Sequence, residues 1–229
     1  MKIADPNTVL TDWFLAALTA WLAWRLFRQT LGLNDRAVRL WVGAFCAVAG
    51  SAVVGGVWHG FSAAIDPSLA PLLWTCAMIL ASVASLLFVL STLRVYTSGR
   101  VLDILAALAV AKFALFAICG VIGDDFRMAV YDGALTMLVI VGLSAWGAWA
   151  RGLPSAPWVL AGVLTAMLGA FFQEGRISIH RQLNYSDLWH ILQMGAMYLL
   201  FRGGLLLRER EPAAPDFDAT QPLPIAGEE

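Results

Sequence analysis

Seven apolar runs divide this chain, near positions 9–27, 40–61, 69–93, 101–122, 128–149, 157–173 and 188–207. Each is close to the ~20 residues that an α-helix needs to cross the hydrocarbon of a bilayer. The runs predict an all-α fold, a polytopic membrane bundle of seven transmembrane helices occupying residues 1–208. Composition agrees, because the 229 residues are 60% hydrophobic and 14% charged, whereas a soluble domain carries about 25% charged residues. One soluble core cannot hide that much apolar surface. The sixth run is the shortest and is punctuated by Pro154, Pro157 and Gly175, but polar flanks mark it as a separate element. The start of the chain, MKIADPNTVLTD, lacks a basic n-region and a small-residue cleavage pattern, so the first run is expected to be kept as a spanning helix.

Orientation follows from arginine, which short cytoplasmic loops retain. Alternate connections hold Arg25, Arg28, Arg36 and Arg39, then Arg94 and Arg100, then Arg151, then Arg202, Arg208 and Arg210. The opposite set holds Lys2, Arg127, Arg176 and Arg181 among acids that include Asp66, Asp124, Asp125 and Glu174. The expectation is a multi-pass protein of a bacterial-type inner (plasma) membrane, N-terminus outside and C-terminus cytoplasmic. Residues 209–229, rich in Pro, Ala and acids, cannot bury enough surface to fold and read as a disordered cytoplasmic tail. A net charge of -1 gives no basic excess for nucleic acid. Membrane lipids are the expected partners, and the sequence sets no oligomeric state.

Within the second run, Gly43, Ala47, Gly50, Ser51 and Gly55 recur at three- and four-residue intervals, which lets a neighbouring backbone approach and places that helix inside the bundle. Cys46, Cys76 and Cys119 lie in apolar runs without metal or redox spacing and read as small core residues. Of the ten tryptophans, Trp13, Trp41, Trp58, Trp158 and Trp189 near run ends fit interfacial anchors.

Charged groups within spans are costly and face the bundle interior, a partner or a wet cavity. Lys112 sits mid-run, and Asp103, nine residues earlier, falls on the opposite face of the same helix, so the partner of Lys112 must come from another helix or a carbonyl. Pairing, snorkelling and a proton-relay or transport role are all open to it. A retinal anchor is disfavoured, because the opsin pattern puts that lysine in the last helix, where this chain has none. The only three histidines, His59, His180 and His190, fall at one end of the topology, the outer one. Three imidazoles are a zinc-ligand count, and Asp124 or Asp125 could act as general base among the carboxylates at that end, which also include Asp12, Asp66, Asp132 and Asp187. Asp187 precedes His190 by three residues, so it either orients that ring or caps the helix after Asn184. The alternative for the histidines is interfacial residues without metal.

A histidine ending the second helix with another beginning the seventh resembles the membrane hydrolase superfamily of alkaline ceramidases and progestin and adipoQ receptors. The resemblance implies three histidine ligands to zinc and hydrolysis of a lipid amide. Two positions depart from that pattern: Met194 stands where the closing HxxxH motif has its second histidine, and Gly55 where the superfamily has a serine. The segment NYSDLWHILQMGAMYLLFRG also resembles the last helix of an uncharacterised bacterial seven-helix family. Two functions follow as expectations: a zinc-dependent membrane hydrolase acting on a lipid or amide at the outer leaflet, with His59, His180 and His190 as ligands, or a non-catalytic receptor, sensor or assembly module. A small transporter using Lys112 and Asp103 is disfavoured, because no pair of runs shows matched breaks or an internal repeat.

Overall fold

The computed structural model describes residues 5–123, 127–180 and 183–210. Seven α-helices follow the apolar runs: α1 (Pro6–Gln29), α2 (Arg36–Phe61), α3 (Leu69–Tyr96), α4 (Gly99–Gly123), α5 (Arg127–Arg151), α6 (Ala156–Glu174) and α7 (Tyr185–Gly204). There is no β-strand among the described residues; an isolated bridge joins His180 to Leu183. Five helices, α2 to α6, are long and apolar enough to cross a membrane. The other two carry the polar groups that reduce their apolar character: Asp12, Arg25 and Arg28 in α1, and Asp187, His190, Gln193 and Arg202 in α7. Both are still of spanning length, about 36 Å and 30 Å at 1.5 Å per residue.

Local chemistry sets the helix ends. Pro6 opens α1, where its missing N–H costs nothing. The Asp35 carboxylate accepts from Val38 N at 3.1 Å and caps α2. Between α3 and α4 the chain reverses within two residues, and Gly99 at φ 58 supplies the left-handed backbone for that turn.

In the bundle, α1, α2, α3, α5, α6 and α7 pack in sequence around a ring that closes where α1 meets α7, while α4 stands outside against α3 and α5. Trp41, Phe45, Leu22, Leu26, Tyr96, Met197 and Leu200 belong to its core. The small-residue stripe of α2 packs closely, with Gly43 and Gly50 against α3 and Gly55 against α1, but the helix stands in the ring between α1 and α3 rather than inside the bundle. Ser51 Oγ donates to Ala77 O at 2.9 Å, and Ser91 Oγ on α3 donates to Ala37 O at 2.7 Å. Close approach also governs α6 and α7. A Cβ added at Gly162 would lie 2.8 Å from Leu200 Cδ2, and one at Gly203 would lie 2.7 Å from Val159 Cγ2, so the helices meet backbone to side chain at both places.

Two expectations are corrected. Trp41 is no interfacial anchor: it is 0% exposed, and its indole N–H donates to Leu200 O at 3.1 Å, tying α2 to α7. The three cysteines are not core residues, because each is exposed on the outside of the bundle. A run that is apolar all round gives no rotational phase to say which small residue faces inward. At the other extreme of the chain, Glu209 and Arg210 are bonded to the bundle: Glu209 pairs with Arg94 at 2.9 Å and Arg210 N donates to Arg94 O at 3.0 Å. The expected tail beyond them, 211–229, lies outside the described residues.

Candidate functional site

The seam between α1 and α7 carries the densest polar chemistry in the bundle, and all of it lies at the histidine end. Thr8, Thr11 and Asp12 share one face of α1 because they are three and four residues apart. That face meets the first turns of α7. Thr8 Oγ1 donates to Asp187 Oδ1 at 2.8 Å, Thr11 Oγ1 lies 3.0 Å from His190 Nδ1, and Asp12 Oδ1 lies 3.2 Å from His190 Nε2. Asn184 opens α7 with a capping box: its side chain accepts from Ser186 N and Asp187 N, and Asp187 Oδ2 accepts from Asn184 N at 3.0 Å. Asn184 Nδ2 also reaches Thr8 Oγ1 at 3.3 Å and Asp5 Oδ2 at 3.4 Å.

Asp12, Asp187 and His190 are 4%, 1% and 5% exposed, so water does not compensate what the protein leaves unpaired. One atom is left unpaired, since Asp12 Oδ2 has no hydrogen-bond partner among the described residues. Its neighbour is α2, where a Cβ at Gly55 would lie 3.7 Å from Asp12 Oδ1 and 3.8 Å from Oδ2. Glycine therefore leaves room beside the carboxylate.

Hydrogen counting shows what this arrangement can do. The Thr11 hydroxyl has one proton, and besides His190 Nδ1 it faces Thr8 O at 3.0 Å and Asn7 O at 3.1 Å. If it donates to Nδ1, then Nε2 carries the ring proton and donates to an ionised Asp12. If it turns to a carbonyl of its own helix, Nδ1–H donates to Thr11, and a second proton must sit between Nε2 and Asp12. The two states differ by one proton. Thr11 thus couples the protonation of the pair to the bond between α1 and α7.

Comparison with known proteins adds one finding: a family of unknown function matches residues 7–209, nearly the whole chain. The chain belongs to the DUF6962 family. No curated protein and no solved structure matches it, and the family match carries no link to alkaline ceramidases or to progestin and adipoQ receptors.

In this DUF6962 chain the sequence-derived site residues fall in different places. His190 is in the seam. His59, on the last turn of α2, is half-buried against the rings of Trp58 and Trp74, with centroids at 5.1 Å and 6.2 Å. It lies one turn beyond Gly55, at the same end as His190. His180 is exposed in the loop between α6 and α7, and its carbonyl accepts from Leu183 N at 3.0 Å. Asp124 and Asp125 lie outside the described residues. Asp187 is a cap and a partner of Thr8, while Asp12 takes the place beside the His190 ring. In the sequence Asp12 is one carboxylate among several at that end. The signal that distinguishes it is the spacing of Thr8, Thr11 and Asp12 at the head of an apolar run.

A second polar cluster lies between α3, α4 and α5. Lys112 Nζ pairs with Asp132 Oδ1 and donates to Thr136 Oγ1 at 2.8 Å, to Asp132 O at 3.1 Å and to Ser85 Oγ at 3.4 Å. Lys112 thus faces protein, and its partner comes from another helix. Asp103 stays exposed on α4 and takes no part. Every donor of Lys112 is directed at a fixed acceptor, the arrangement of a structural tie between helices.

Proposed function

We propose that this chain is a non-catalytic polytopic membrane module, a receptor or sensor, whose responsive element is the buried Asp12–His190 pair at the seam of α1 and α7. The observation that carries this reading is the Thr11 hydroxyl, placed between His190 Nδ1 and the carbonyls of its own helix. A proton, the simplest ligand of such a pair, then alters the contact that closes the ring of helices. That proton is shared between His190 Nε2 and Asp12 Oδ1, 3.2 Å apart, on a carboxylate whose Oδ2 has no partner among the described residues. The bundle responds through a bistable hydrogen bond, as pH-sensing interfaces do.

Infrared difference spectra of the purified protein in nanodiscs between two pH values test this. The wild type should show a carboxyl band that Asp12→Asn removes, together with altered amide exchange in the first turns of α1. A pH response unchanged in Asp12→Asn would sink the reading.

The zinc-dependent hydrolase acting on a lipid or amide is the second reading, supported by His59, Asp12 and His190 standing at one end of the bundle. The side chains as disposed do not fit the ion. Among the described residues no three His, Cys, Asp or Glu groups converge on one point, and both ring nitrogens of His190 already face protein partners. One zinc per purified chain, lost in His59→Ala, would replace the sensor reading with this one.

The arginine distribution further supports an N-terminus outside and a C-terminus in the cytoplasm, in a bacterial-type inner membrane. A cytoplasm-dependent reporter fused after Arg210 should be active, and activity of a periplasmic reporter at that point would reverse the orientation.

A further inference from the structure

At the end of the bundle opposite the histidines, a groove of about 330 Å³ opens between α2 and α3, lined by Arg36, Arg39, Leu40, Gly43, Leu87 and Arg94. We propose that this groove is a binding site for one anionic phospholipid of the leaflet on the arginine side, its phosphate held by Arg36, Arg39 and Arg94 and an acyl chain lying over Gly43 and Leu87.

The charge is in place and partly unspent. Arg36 and Arg39 are exposed on the first turn of α2, and their guanidinium groups have no partner among the described residues. Arg94, on the last turn of α3, is held in place by Glu209 at 2.9 Å. Glu209 is itself fixed, because its N–H donates to Asp35 Oδ2 at 2.9 Å and its Oε2 accepts from Arg36 N at 3.2 Å. Three guanidiniums thus face two carboxylates, Asp35 and Glu209, and the rim stays net positive. Arginine binds phosphate oxygens through paired N–H groups in a fixed plane.

Depth selects a lipid over a free anion. Gly43 lies seven residues below Arg36 and four below Arg39 on α2, and Leu87 seven below Arg94 on α3, so the apolar floor begins about 6 Å under Arg39 and about 10 Å under the other two arginines. That is the order of charge and chain in a phospholipid at the interface, and basic pockets between helices on an anionic leaflet are where such head groups bind. Gly43 keeps the slot open: a Cβ there would lie 3.3 Å from Leu87 Cδ1, and a larger side chain would fill the space meant for the acyl chain.

The test uses the full chain in nanodiscs of phosphatidylcholine with a minor fraction of phosphatidylglycerol, with lipid retained through detergent exchange read by native mass spectrometry. The wild type should retain phosphatidylglycerol at least tenfold over phosphatidylcholine. Arg36→Gln with Arg39→Gln should abolish that preference, and Gly43→Leu should reduce retention without any change of charge. Arg25→Gln with Arg28→Gln, an equal charge loss elsewhere at this end, should leave it intact. Loss of the preference in that control pair would mean general surface attraction and overturn the site. Displacement by inorganic phosphate at equal concentration would make the groove an anion site and overturn the lipid. Retention that appears only after truncation at Arg210 would give the groove to the acidic tail, and that too would overturn it.

Discussion

Replacing Lys112 by methionine should destabilise the bundle by about 3–5 kcal/mol, the cost of removing one partner from a buried ion pair. Asp132 is 0% exposed, and its Oδ2 already lacks a partner among the described residues. Loss of the ammonium would leave the carboxylate with neither water nor a counter-charge. Lys112→Met with Asp132→Leu should recover most of the loss, because replacing both partners removes the desolvation cost along with the attraction. A double-mutant cycle followed by chemical denaturation in detergent gives the coupling energy directly. A loss below about 0.5 kcal/mol in the single variant, the size seen for exposed pairs, would show that α4 is not held by this contact.

Trp41→Ala should cost about 3–5 kcal/mol, the range for large-to-small replacement of a buried aromatic. The indole stands edge-on to Phe88 at 4.7 Å between centroids and donates to Leu200 O at 3.1 Å. Its fit is close enough that a Cβ at Gly204 would lie 2.7 Å from Trp41 Cδ1. In a bilayer the stabilisation comes from packing and this hydrogen bond, since lipid tails are as apolar as the core. Trp41→Phe should keep most of the packing and lose about 1 kcal/mol for the bond. Trp149, 89% exposed, is the internal comparison, and Trp149→Ala should change stability little. Equal losses at the two positions would remove Trp41 from the core.

Much of the architecture was legible because the length of an apolar run is a local property. A run near 20 residues fixes a spanning helix whatever surrounds it, and all seven runs are helices in the structure, with ends within a few residues of the expected ones. The polar interruption of a run was legible for the same reason: Lys112 had to find a partner, and did so in Asp132. Rotation about each helix axis was not legible. In α2 and α3, apolar residues surround the helix, so no stripe marks the inward face; Trp41 turned inward and Cys46, five residues later on the same helix, outward.

The seam was hidden for a further reason. Thr11 and His190 are 179 residues apart in the chain, and nothing local in either helix names the other. The sequence by itself determined how many helices form, how long they are, and that three histidines gather at one end, since these follow from run length and alternating direction. Only the tertiary structure decided that α1, rather than the loop holding His180, supplies the groups beside His190. That choice depends on the ring closing at α1 and α7, where Thr8, Thr11 and Asp12 Oδ1 find partners on α7 without water.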